Sequence, residues 1–164
     1  MTILVKAHAA RAPKNKYVGY GATLYAAILV VLLVAQLFTY EDFPSIIASF
    51  WLTDSLASSH LLAALIIVAE LFAIPFLLRM KLSVAMRWLS TGLGWLVAGF
   101  WLFIGIWLSV TVHAVTNTGL LGSAIELAPG PWLIVKGLFL VALSAWVTWG
   151  LWPGKRATAA KKRK

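Results

Sequence analysis

Four long apolar runs, set apart by short polar stretches, dominate the pattern of this chain. They cover about residues 20–40 (GATLYAAILVVLLVAQLFT), 59–78 (HLLAALIIVAELFAIPFLL), 88–112 and 131–152. At a rise of about 1.5 Å per residue, each can form a helix that crosses a hydrocarbon core about 30 Å thick. The segment after the first run differs in kind. Glu41 and Asp42 precede Phe43 and Pro44, as an acidic N-cap precedes a proline in the first helical turn. Phe43, Ile46, Ile47, Phe50 and Trp51 then recur at helical spacing among Ser45, Ser49, Thr53 and Asp54. That pattern predicts a short amphipathic helix along the far membrane surface; an irregular apolar loop is the plainer alternative. Residues 114–131 read as a polar loop bearing Gly and Pro, with a short helix around 123–127.

Composition narrows the class. The 164 residues are 62% hydrophobic and 12% charged, about half the charge of a soluble domain. Nine Trp and eight Phe belong to a chain that buries surface, not to a disordered one. The net charge of +9 does not point to nucleic acid, because the cations sit in three short clusters between apolar runs rather than on one solvated face. With no Cys in the chain, disulfides and thiolate chemistry are excluded.

Charge also orients the layout. With four spans, the basic arm (1–17), the turn at 79–87 and the basic tail (153–164) fall on one side. That side holds 13 of the 14 Lys and Arg, leaving only Lys136, while Glu41, Asp42, Asp54 and Glu126 fall on the other. The positive-inside rule then gives N-in and C-in. The expected fold is an all-α membrane protein: a four-helix transmembrane bundle (18–152) with a short amphipathic outer-face helix after the first span. The first span reads as an uncleaved signal anchor, being long for a signal-peptide core.

Few residues could carry chemistry. Glu70 lies about ten residues into the second span, roughly 15 Å deep by helical rise. An acid at that depth faces the bundle and finds a partner. Ala63, Ile67 and Ala73 share its face, and Pro75 cannot bond the Leu71 carbonyl, so a kink and a free acceptor are expected beside it. Lys136 is the one cation within a span. It can pair with Glu70 or extend to the outer headgroups. For Glu70 the structural alternative is an acid hydrogen-bonded for assembly. His60, His113 and Glu126 mark span ends on the outer side and could ring a vestibule with Lys136. Two His without a third ligand make a poor metal site, so no metal is expected, and haem ligation by the pair has no supporting motif.

In the third span Gly94, Ala98 and Gly105 share a stripe, expected to be a packing seam. Trp88, Trp132, Trp149 and Trp152 near span ends, with Trp51 in the outer segment, suit contact with lipid headgroups or a partner. Nucleotide-binding, nucleophile-elbow, zinc-protease and dinucleotide signatures do not occur, so no catalytic residue is assigned. The C-terminal Lys-Lys-Arg-Lys matches an endoplasmic-reticulum retrieval pattern, and equally an anchor on anionic lipid.

The run QLFTYEDFPSIIASFW after the first span, the acid in AALIIVAELFAIPFLL and the lysine in GPWLIVKGLFLVAL together resemble the DoxX/MauE-like group of small four-span membrane proteins. The resemblance implies a bundle over about 18–152, with Glu70 and Lys136 on the group's recurrent polar positions, in a bacterial cytoplasmic membrane. It departs at Ala35-Gln36, where the group carries Gly and Lys, and at FAIPFLL, where a glycine-rich stretch is usual. The group is associated with membrane redox pathways, which implies quinone as a possible cofactor and haem or pigment contact only through a partner. Three functions follow as expectations: an accessory subunit packed beside other membrane proteins, a quinone-interacting redox protein, and a small permease or proton path through Glu70.

Overall fold

The computed structural model describes residues 12–52, 55–111 and 115–153. Among them are five helices: α1 (Lys16–Phe38), α2 (Phe43–Ala48), α3 (Leu56–Leu77), α4 (Val84–Val110) and α5 (Pro131–Leu151). The four long ones are apolar enough to cross a membrane, and each lies within a few residues of a run read from the sequence. Short polar side chains start most of them. Asn15 accepts from the Val18 amide, Ser83 accepts from the Met86 amide, and Ser55 and Ser58 form a reciprocal capping box at α3. At α5 the start is Gly130 followed by Pro131, which needs no amide hydrogen in the first turn. α3 stops where Arg79 takes a left-handed φ of 58°. There Arg79 and Met80 donate back to the Phe76 and Pro75 carbonyls, the arrangement that satisfies the last orphan acceptors of a helix.

The long helices form a closed ring in the order α1, α3, α4, α5, with the α1–α5 seam the least extensive. Lys14, Lys16, Arg79 and Lys81 cluster at one end of the bundle, hereafter the basic end; Glu41, Asp42 and Glu126 lie at the opposite, acidic end. The core runs through the ring, with Tyr25, Leu29, Ala63, Ile66, Ala98, Trp101, Ile104 and Leu140 buried. The outward side chains, Phe38, Val110, Val135 and Trp149 among them, are exposed and apolar, as lipid contact requires. This is an integral, multi-pass membrane protein.

Two expectations are altered at the acidic end. The amphipathic segment is helical for only six residues, and its apolar face turns onto the bundle rather than into lipid: Phe43, Ile47 and Phe50 have no exposed surface. Trp107 holds the segment there by donating to the Phe50 carbonyl at 2.8 Å. The helix expected around 123–127 is instead the end of a turn at 120–124 followed by irregular chain. Gly119 and Gly122 adopt φ of 67° and 59°, a region that favours glycine and breaks a helix. The 115–130 loop then folds over the bundle mouth, where Asn117 and Leu120 are buried.

The small-residue stripe of α4 serves two neighbours. A Cβ on Gly94 would meet Ala73 of α3 and Tyr25 of α1, whereas one on Gly105 would lie 3.1 Å from backbone atoms of α5. The tightest approach on this seam involves Gly137, unremarked in the sequence reading, whose added Cβ would lie 2.6 Å from the Leu102 Cα. Gly137→Ala is therefore expected to lower stability by about 1–3 kcal/mol, the usual effect of overpacking. Gly99→Ala, with open space around it, is expected to be neutral or up to about 1 kcal/mol more stable through helix propensity. Reversible unfolding in mixed micelles reads the difference, and equal effects would contradict the close α4–α5 contact.

Candidate functional site

Glu70 sits fully buried in α3, and the direction of each helix decides what it meets. A helical side chain leans toward its own N-terminus. In α3 that is toward the acidic end, whereas in α1 and α4, which run the other way, it is toward the basic end. Side chains from α1 and α4 therefore converge on Glu70 from above. Gln36 Nε2 and Trp101 Nε1 both donate to Glu70 Oε1, each at 3.3 Å. The second hydrogen of the Gln36 amide goes to the Leu120 carbonyl at 3.2 Å. One carboxyl oxygen thus links α1, α3, α4 and the loop over the bundle mouth.

Lys136 stands apart for the same geometric reason. α5 runs parallel to α3, so both side chains lean toward the acidic end and the offset between their Cα levels is kept. No ion pair joins the two among the described residues. Lys136 is half-buried in a groove between α1 and α5. Glu70 is held in a carboxyl–amide–indole clamp.

The clamp has acceptors to spare. Glu70 Oε2 and Gln36 Oε1 are both buried without a hydrogen-bond partner, so what this centre can take up is a donor. Two neighbouring contacts make the surroundings rigid. Tyr25 crosses the ring to donate to the Gly94 carbonyl at 2.6 Å. Ser90 of α4 donates to the Ala73 carbonyl at 3.0 Å and accepts from the Phe76 amide at 3.2 Å. That hydroxyl enters the α3 bonding ladder beside Pro75, and α3 continues as a helix through the proline.

His60 and Glu126 are both exposed and share no hydrogen bond, and no group of three metal-ligating side chains occurs among the described residues. His113 and Asp54, with most of the basic arm and tail, lie outside the described residues. Trp51, Trp88, Trp132, Trp149 and Trp152 all expose ring surface near helix ends. Lys14 lies 3.8 Å over the Trp149 ring, and Trp88 meets Trp152 edge-on at 5.7 Å, at the basic end.

Gln36 is the principal residue that the sequence reading undervalued, having been noted only as a departure from a family pattern. The available signal was a lone amide in an otherwise apolar span, which must find a partner in lipid. Comparison with known protein families, curated proteins and solved structures finds no match to this chain.

Gln36→Leu and Trp101→Phe are each expected to destabilise the bundle by about 1–3 kcal/mol, because each strips a donor from a buried acceptor. A double-mutant cycle between Gln36 and Glu70 should give a coupling of about 0.6–1.7 kcal/mol, between the average and the largest values for hydrogen bonds inside membrane proteins. The Glu70–Lys136 cycle should give less. The reverse order would restore the ion pair in place of the clamp.

Proposed function

We propose that the protein is a non-catalytic accessory subunit of a larger membrane complex associated with electron transfer. The observation that carries this reading is the closure of the polar centre. Glu70 and Gln36 have no exposed surface, and their hydrogen bonds run between helices and to the loop over the bundle mouth. A carboxyl enclosed in this way holds helices in one arrangement. Turnover, or a path for a solute, would need it open to at least one side of the membrane. Closure therefore favours an assembly role over a permease or a quinone pocket centred on Glu70.

Outside the ring, the apolar faces of the long helices offer broad contact for other membrane subunits, and the basic end suits an anionic leaflet. The electron-transfer association and a bacterial cytoplasmic membrane rest on the resemblance to the DoxX/MauE-like group; the Lys-Lys-Arg-Lys tail supports the endoplasmic reticulum as the competing location. Extraction in a mild detergent, followed by sizing and crosslinking mass spectrometry, is expected to recover the protein with other membrane proteins. A lone monomer that carries a complete activity by itself would overturn the reading.

A further inference from the structure

The α1–α5 seam is open on its lipid side. There a groove of about 390 Å³ is lined by Ile28, Val31 and Leu32 of α1, by Lys136 and Leu140 of α5, and by Leu121 of the acidic-end loop. Beside it, sharing Val31, lies a second and wholly apolar hollow of about 490 Å³ that reaches Ala124. Lys136 is the only charged residue in either lining. Among the described residues it is also the only Lys or Arg in the acidic half of the bundle.

We propose that this groove binds one phospholipid with an anionic headgroup, drawn from the leaflet at the acidic end. Three features select that occupant. First, Lys136 has no ion-pair partner among the described residues, since parallel helices keep it from Glu70, and a half-buried ammonium gains most from a charged oxygen acceptor. Second, charge and grease are ordered along the groove as along a lipid. Lys136 lies one helical turn nearer the acidic end than Leu140, about 6 Å by helical rise, with Leu121 roofing it and apolar walls running deeper. Third, Glu41, Asp42 and Glu126 make the rest of that end repel anions, so the attraction is confined to the groove. The inference is independent of the accessory reading: a lipid can occupy this seam whether or not the protein has protein partners.

The test uses the full chain in nanodiscs carrying a phosphatidylglycerol or a phosphatidylcholine whose acyl chain bears a photoactivatable diazirine. The anionic probe is expected to label peptides spanning 27–32 and 136–140 on the order of fivefold more than the zwitterionic one, as about 1 kcal/mol per cation near anionic lipid implies. Lys136→Gln should abolish that preference at those peptides and Lys136→Arg should keep it. Ala27 also lines the groove, and Ala27→Phe, which fills it without altering charge, should lower labelling by both probes. Mapping by peptide separates this site from lipid held at the basic termini. Equal labelling by the two probes, anionic labelling confined to the basic end, or an unchanged preference in Lys136→Gln would each overturn the proposal. So would recovery of a partner helix crosslinked into the groove in place of lipid.

Discussion

A carboxyl buried in an apolar bundle has to be met by donors, and most of this architecture follows from how Glu70 is met. In hydrocarbon no water is at hand to do it, so the donors have to come from other helices. Because side chains lean toward helix N-termini, only the helices antiparallel to α3 deliver theirs to the same level. Gln36 and Trp101 answer that requirement, and Gln36 in turn reaches the Leu120 carbonyl. The acidic-end loop is thereby tied to the membrane core. Its left-handed glycines, the shortness of α2 and the burial of Phe43, Ile47 and Phe50 all belong to the same closure of the bundle mouth.

On the other side of the ring, α4 and α5 hold together by a different means. Gly105 and Gly137 remove side-chain bulk where the two backbones pass, and one side-chain hydrogen bond, from the Trp95 indole to the Thr148 hydroxyl at 3.1 Å, adds to that close packing. The bundle therefore combines a polar clamp on the α1, α3 and α4 side with a small-residue seam on the α4–α5 side. The α1–α5 seam is closely packed toward the basic end, where Gly21 lies against Trp146 and Gly150 against Val18, and opens toward the acidic end into the groove beside Lys136.

Length and hydropathy made the four spans legible within a few residues, since a bilayer admits little variation in helix length. The buried acid was legible too, because a Glu among Leu, Ile and Ala has no cheap explanation. Its partner was not. Lys136 is the obvious counter-charge in one dimension, but which residues meet depends on helix direction as well as depth, and the antiparallel rule points to Gln36 and Trp101 instead. Gln36 drew little attention because an amide carries no charge. The loop at 115–130 was misread as partly helical because residues 123–127 fit a helix in isolation; the preceding glycines and the burial of Leu120 depend on tertiary contacts. His60 and Glu126 were legible as polar positions on the outer side, and both are exposed there.

The central claim is that Trp101 and Gln36, and not Lys136, are the partners of Glu70. Indole ¹H–¹⁵N spectra of the protein in nanodiscs test it most directly, because Trp101 and Trp95 bond different acceptors from the same helix. The account predicts that Glu70→Gln and Gln36→Leu each shift the Trp101 indole signal, leave that of Trp95 in place, and that Lys136→Gln perturbs Trp101 less than either. A Trp101 signal indifferent to Glu70 and Gln36, or one that follows Lys136 instead, would contradict it.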